Sequence, residues 1–254
     1  MKLVRYRFGE EIATGFVEGE TVRGLRGTFF EDPVPSGDEV ALEHVRLLAP
    51  VIPSKVVAVA RNYPEHAAEM GNPVPEAPML FFKPATSVIG PGDPIPLPEG
   101  SSRVDPEAEL AVVIGRLCRR VSEEDAPRYV LGYTCANDVT ARDWQESDGQ
   151  WARAKGSDGF CPLGPWIESE LDPADLRVSS RANGEARQSG RTSDMRFPPA
   201  ALIAYVSRTI TLLPGDVLLT GTPPGVGPMR PGDRIEVEVE GVGVLENVAA
   251  AAGG

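Results

Sequence analysis

Twenty-seven glycines and 25 prolines are scattered along the 254 residues of this chain. Each proline removes a backbone donor and each glycine loosens a helix, so long uninterrupted helices have few places to form. The share exceeds the average but stays below that of low-complexity chains, which predicts a folded protein of many turns and short strands. The length suits one large domain, or a main domain with a small appendage.

Composition removes several function classes. A formal net charge of −12 argues against a nucleic-acid partner or an anionic membrane surface. No apolar run approaches the ~18 residues of a membrane helix. The N-terminus, Met1-Lys2-Leu3-Val4-Arg5-Tyr6-Arg7, has no signal-peptide core, so a cytoplasmic protein is expected. Cys118, Cys135 and Cys161 are widely spaced and odd in number, fitting neither a disulfide framework nor a zinc ribbon. With only His44 and His66 available, a three-histidine zinc site cannot form. Any metal must rest on carboxylates, which favours a hard cation such as Mg²⁺ or Mn²⁺.

The pattern of elements is mostly β. Residues 1–50 read as short strands (Leu3 to Phe8, Thr14 to Val17, Thr21 to Leu25) in a small N-terminal β-rich domain, and residues 51–254 form the main domain. There, Lys55 to Ala60, Met79 to Phe82, 107–114, Tyr129 to Asn137, Asp216 to Thr220 and Arg234 to Glu240 read as strands. Pro64 to Gly71 is framed as a short helix. Pro198 and Pro199 open a longer one, with Leu202, Ile203, Val206 and Ile210 as its apolar stripe and Pro214-Gly215 as its end. Asn183-Gly184 signals a hairpin. No regular alternation of strand and helix is present, so the fold class is mostly β with a few short helices.

Glu107 and Glu109 are two apart in the clearest strand. They face the same way, ~7 Å apart at Cα, with Leu110, Val112 and Ile114 on the opposite face. Such pairs are common on solvated strands. Here, though, Ala111 and Val113 continue the same face and are apolar, and Asp138 after the next strand can add a third oxygen donor. Arg142 and Gln145 share one face of a helical turn nearby, suited to holding a carboxylate or to a surface ion pair with Asp143 or Glu146. His66 and Glu69, at i and i+3, can form an oriented imidazole base or a plain surface pair. The loop Thr220 to Gly227 is glycine-rich after a strand. It lacks the Gly-Lys-Ser/Thr and the following helix of a nucleotide loop, and remains a rigid loop presenting Thr222 and backbone amides.

In this order the motifs resemble the fumarylacetoacetate hydrolase family. The resemblance runs through Arg61-Asn62-Tyr63-Pro64-Glu65-His66-Ala67-Ala68-Glu69-Met70-Gly71, then Phe82-Lys83-Pro84 and Glu107-Ala108-Glu109-Leu110. It continues through Asn137-Asp138-Val139-Thr140-Ala141-Arg142-Asp143-Trp144-Gln145, Lys155-Gly156, Pro162-Leu163-Gly164-Pro165 and Thr220 to Gly227. It implies a mixed β-sandwich roll behind a small N-terminal domain, and a homodimer. It also implies that Glu107, Glu109 and Asp138 bind Mg²⁺ or Mn²⁺, and that Arg142, Gln145, Lys83 and Thr222 hold the substrate. His66, Glu69 and Lys155 match catalytic positions, the first two on a segment that orders as a lid. Gly156-Ser157-Asp158-Gly159-Phe160 departs from the bulkier residues usual there, which bears on the local shape of the pocket.

The implied substrate is a small 2-oxo or 2-hydroxydienoic carboxylate, whose adjacent oxygens chelate a cation that stabilises an enolate. Lys155 and Arg142 would hold negative charge and His66, oriented by Glu69, would move a proton. Isomerisation, loss of CO₂ and C–C hydrolysis all start from such an enolate. The length and motifs favour a 2-hydroxyhepta-2,4-diene-1,7-dioate isomerase. Acylpyruvate hydrolase and oxaloacetate decarboxylase are the alternatives within the family, and a non-catalytic small-molecule-binding protein is the alternative outside enzymology.

Overall fold

Strand Ala108–Ile114 runs through the interior of a 12-stranded sheet in the computed structural model, which describes residues 1–251. Its side chains divide between two cores. Leu110, Val112 and Ile114 pack with Val57, Val178, Val237 and Leu202 on one face. Ala111 and Val113 pack with Val56, Ala58, Leu163 and Val217 on the other, the side that Glu107 and Glu109 share by alternation. Burying each large aliphatic side chain is worth about 1.5–3 kcal/mol, so the register is strongly set. A slip by one residue would drive both glutamates into the first core.

In spatial order the sheet runs Val34–Ala41, Thr21–Arg26, Glu11–Glu18, Lys2–Phe8, Cys161–Glu168, Val130–Asn137, Ala108–Ile114, Val217–Leu219, Val56–Ala60 and Met79–Lys83. A five-stranded sheet faces it across the first core: Glu185–Arg191, Arg177–Ala182, Arg234–Val239, Gly243–Ala251 and Pro94–Leu97. Helix Pro199–Ser207 closes that core with Leu202, Ile203 and Val206. The result is the mostly β architecture expected. The N-terminal strands extend the main sheet, because Lys2 and Leu3 pair with Glu168 and Ile167. They keep a small core of their own around Val4, Tyr6 and Val22.

The Asn183-Gly184 turn forms as expected, with both residues at positive φ (54° and 81°) between strands Arg177–Ala182 and Glu185–Arg191. One sequence expectation fails, and one strand appears where the sequence reading placed none. The long helix stops at Ser207, short of Ile210. Ser207 is drawn into tertiary bonds, its Oγ accepting from the Val121 amide, and Leu212 then bridges to Cys118. Strand Cys161–Glu168 was not anticipated, since Pro162, Gly164 and Pro165 argue against a strand. Its pairing with Val130–Asn137 shifts register between Tyr133 and Cys135, which accommodates the missing donors. No helix among the described residues is long and apolar enough to cross a membrane.

Candidate active site

Four elements end at one edge of the main sheet. Ala108–Ile114 begins there, and Val130–Asn137, Val217–Leu219 and Val56–Ala60 finish there. The loops beyond them carry Asp138, the 220–227 segment and Arg61 to His66. Together with the segment before Ala108 they enclose a cavity of about 380 Å³.

Glu107, Glu109 and Asp138 meet on its floor. All three are buried, and each offers an oxygen within 4.8 Å of the others. Their placement follows from the backbone. The Asp138 amide donates to the Glu107 carbonyl, and the Glu107 amide donates to Asn137 Oδ1. The Gly221 amide donates to Glu109 Oε2 at 2.6 Å. Gly221 sits at φ +97°, and a Cβ there would stand 2.8 Å from Asn62 Cβ, so only glycine brings the loop this close.

Cations surround the trio unevenly. Lys155 Nζ donates to Glu107 Oε2 and Asp138 Oδ2, each at 2.7 Å. Arg142 donates through Nη2 to Glu107, through Nε to Asp105 and through Nη1 to Gln145 Oε1. Lys83 Nζ donates to Asp138 Oδ1 and the Val139 carbonyl. Glu109 alone of the three carboxylates has no ion pair among the described residues. The electrostatics divide accordingly. Burial pushes the Glu107 carboxyl up, but Lys155 and Arg142 outweigh it and hold the group well below the usual carboxylate range. Burial, then the charges of Asp138 and Glu107, push the Glu109 carboxyl well above that range. Burial disfavours the Lys155 ammonium, yet Asp138 and Glu107 prevail and raise its pKa.

His66 stands across from the floor on helix Pro64–Glu69, its Nε2 4.0 Å from Glu107 Oε1. Its Nδ1 is 3.2 Å from Glu69 Oε2, and the Glu69 carboxylate also accepts from the Gly225 amide. The helix is thereby tied across the cavity to the 220–227 loop. Phe81 and Trp151, in edge-to-face contact with ring centroids 5.5 Å apart, line the apolar wall.

Nine of the ten expected site residues are here, though not all as expected. Glu69 joins through His66 and Gly225. Lys83 does not reach the cavity: expected at the substrate, it is fully buried behind Asp138. Arg142 lines the cavity, and bonds from its three guanidinium nitrogens to Glu107, Asp105 and Gln145 fix its orientation and shape the floor. Thr222 also lines the cavity, while its hydroxyl donates to the Ala108 carbonyl and accepts from Gln188 Nε2.

Sequence reasoning missed Gln188 and Asp105. Gln188 sits on the facing sheet and also accepts from the Ala108 amide, which no local pattern reveals. Asp105 did leave a signal, because it extends the alternation of Glu107 and Glu109 by one step. Fully buried, it holds both Arg142 and Arg103. Asp105→Ala leaves Arg142 half-compensated. It is expected to destabilise the protein by about 2–4 kcal/mol in urea unfolding.

The donor set fits a hard divalent ion: three carboxylate oxygens share a centre, and one of the three lacks a cation. Residues 55–249 match the fumarylacetoacetate (FAA) hydrolase C-terminal family. The chain belongs to the fumarylacetoacetate hydrolase family. Residues 1–50 match a second family, Rv2993c-like, N-terminal. Within the hydrolase family, a crystal structure of 2-hydroxyhepta-2,4-diene-1,7-dioate isomerase from Mycobacterium marinum is 45% identical with a TM-score of 0.93, covering 100% of both chains. The mitochondrial oxaloacetate tautomerase FAHD2A of Homo sapiens is 47% identical over 216 residues, 80% of this chain and 69% of that protein. A structure of maleylpyruvate hydrolase from Sphingobium sp. SYK-6 in complex with manganese (II) ion and pyruvate is 32% identical, with a TM-score of 0.82 over 99% of this chain and 100% of that one.

Proposed function

We propose that this chain is a divalent-metal-dependent isomerase of 2-oxo and 2-hydroxydienoic dicarboxylates, of the 2-hydroxyhepta-2,4-diene-1,7-dioate type. The observation that carries the reading is the unpaired, buried Glu109 among three carboxylates, facing an imidazole–carboxylate pair across one small cavity. Isomerisation is favoured over cleavage because relatives at 45–47% identity bear isomerase and tautomerase names, whereas structures bearing hydrolase names are at 32–38%.

A bound Mg²⁺ or Mn²⁺ would polarise the 2-oxo group and offset the charge that develops on its oxygen. Glu107, Glu109 and Asp138 would hold the ion, with Lys155 and Arg142 fixing the first and third of these side chains in place. His66, oriented by Glu69, would carry the proton, from the 2-hydroxyl of a 2-hydroxy-2,4-dienoate to C5 to leave the 2-oxo-3-ene, or from C3 of a saturated 2-oxo acid to its keto oxygen to leave the enol. Gln145 lines the cavity with its Oε1 held by Arg142 Nη1, and Phe81 and Trp151 form the apolar wall.

A panel of 2-oxo and 2-hydroxydienoic acids, followed by NMR in D₂O, tests this. The expected result is deuterium at C5 of the 2-oxo-3-enoate formed from a 2-hydroxy-2,4-dienoate, and at C3 of a saturated 2-oxo acid, with the carbon skeleton intact, lost on chelation and restored by Mg²⁺. Cleaved products or metal-independent turnover would overturn it. His66→Gln is expected to lower kcat by about 10²–10⁴ and to leave Mg²⁺ affinity within about twofold. An unchanged kcat would remove His66 from the proton transfer.

A further inference from the structure

Three cationic side chains, Lys155, Arg142 and Arg61, line the cavity, and the first two are ion-paired to buried carboxylates. Lys155 is fixed between Glu107 and Asp138, and Arg142 between Glu107, Asp105 and Gln145. The third, Arg61, is half-buried on the cavity wall and makes no ion pair or side-chain hydrogen bond among the described residues.

Its backbone is held in place at some expense. Arg61 sits at φ +58°, a left-handed conformation that a long side chain seldom adopts. The next residue locks it there. Asn62 Nδ2 donates to the carbonyls of Phe197 and Thr220, Asn62 Oδ1 accepts from the Phe197 amide, and the Asn62 carbonyl accepts from the Arg196 amide. Strain held this firmly beside a cavity marks a position whose side-chain direction matters.

The position is also the right one relative to the floor. Continuing the pairings Ala111↔Leu219 and Leu219↔Ala58 outward aligns Glu109, Gly221 and Ala60 in a row across the sheet. Two strand spacings put the Ala60 backbone about 10 Å from that of Glu109, and Arg61 follows. Because Arg61 lines the same cavity as the three carboxylates, this wall is within reach of the far end of a substrate whose 2-oxo acid end sits over them.

We infer that Arg61 is the specificity-determining residue for the far carboxylate of the substrate, selecting 2-oxo dicarboxylates over 2-oxo monocarboxylates of equal length. The inference rests on the proposed function for the near end of the substrate and adds the group that reads the far end. Guanidinium suits this role because its planar fork matches a carboxylate and keeps its charge at all working pH values.

The test compares pairs that differ only in the second carboxylate: oxaloacetate against 2-oxobutanoate, and 2-oxoglutarate against 2-oxopentanoate. Binding to the Mg²⁺-loaded protein is followed by tryptophan fluorescence, with Trp151 on the cavity wall as reporter. The wild type is expected to favour the dicarboxylate of at least one pair by about tenfold or more, the scale of a charge-assisted bond. Arg61→Gln removes that preference by weakening the dicarboxylate alone, with the monocarboxylate within about twofold, and Arg61→Lys restores part of it. Arg61→Gly, which relieves the positive φ, keeps the fold and loses the preference as well. A wild type without preference overturns the inference, and so does an Arg61→Gln variant that weakens both members of a pair equally. If neither member binds in a metal-dependent way, the proposed function falls and this inference with it.

Discussion

Glu109→Gln is expected to make the metal-free protein more stable and at the same time to destroy its grip on Mg²⁺. The two effects share one cause. Glu109 is 2% exposed and offers an oxygen within 4.8 Å of two other carboxylates, and among the described residues its only hydrogen-bond donor is the Gly221 amide. An ionised group in that place is repelled from two sides and stripped of water. Glutamine keeps an oxygen for Gly221 and brings an NH₂ that can donate to Asp138 or Glu107. Relief of this buried charge should add about 1–3 kcal/mol to the stability of the metal-free form. The same change removes one of three anionic ligands. Losing a supporting partner behind a ligand already costs about 10–100-fold in metal affinity, so losing the ligand itself should cost more than about 100-fold.

The pH dependence follows with a definite sign. The Glu109 carboxyl is raised in the folded protein, by burial first and then by Asp138 and Glu107. Above the ordinary carboxylate range the folded state therefore binds a proton that the unfolded state has released. Metal-free stability must fall as pH rises through that window, and Glu109→Gln should flatten the fall. In the same window Mg²⁺ binding displaces the proton, so affinity increases with pH and the proton appears as a buffer-dependent heat in calorimetry. Thermal unfolding with EDTA, set beside calorimetric Mg²⁺ titration, reads both halves. A metal-free variant less stable than the wild type would show that Glu109 is not the uncompensated charge.

The site was legible in sequence where its geometry is local. Glu107 and Glu109 are fixed by strand alternation, and His66 with Glu69 by helix spacing, so periodicity alone places each pair. Asp138 was reachable because it directly follows the next strand, whose last residue Asn137 pairs with Ala108. The errors arise where partners come from afar. Nothing near Lys83 in sequence tells that Asp138, 55 residues away, will hold it behind the floor. Nothing near Arg142 tells that Asp105 and Glu107 will occupy its guanidinium. The family resemblance implied that both hold the substrate, and the structure pairs Lys83 with Asp138, and Arg142 with Asp105 and Glu107. Strand Cys161–Glu168 was missed for the opposite reason: its prolines and glycine carry a strong local turn signal, which pairing with Val130–Asn137 overrides. Arg61 was quoted only as part of a motif, since a positive φ is visible only in the folded backbone.

Lys155→Met should move stability the other way from Glu109→Gln, although both residues belong to one cluster. Lys155 is 3% exposed, donates to Glu107 and Asp138, and lies 5.0 Å from the centroid of the Phe81 ring. Methionine fills a similar volume beside Phe81 but leaves two buried carboxylates short of a counter-ion. Breaking a buried pair in this way costs about 3–5 kcal/mol. At roughly 2–4 °C per kcal/mol for a chain of this size, the metal-free variant should melt about 10 °C lower. The sign with pH also follows. Glu107 is held below its ordinary range because Lys155 and Arg142 outweigh burial, and that contribution, present at neutral pH and lost as pH falls through the depressed range, shrinks when Lys155 is removed. Acid should therefore harm the variant less than the wild type. Mg²⁺ should recover part of the loss by supplying charge near the vacated ammonium. The decisive measurement is the double variant. With Glu109 already neutral, the cluster left by Lys155→Met carries one negative charge fewer, so the second substitution should cost about 1 kcal/mol less than it does alone, a coupling large enough to resolve in a double-mutant cycle. Equal losses in both backgrounds would mean that the two groups do not act on a common centre, and the case for a shared cation site on this floor would fail with them.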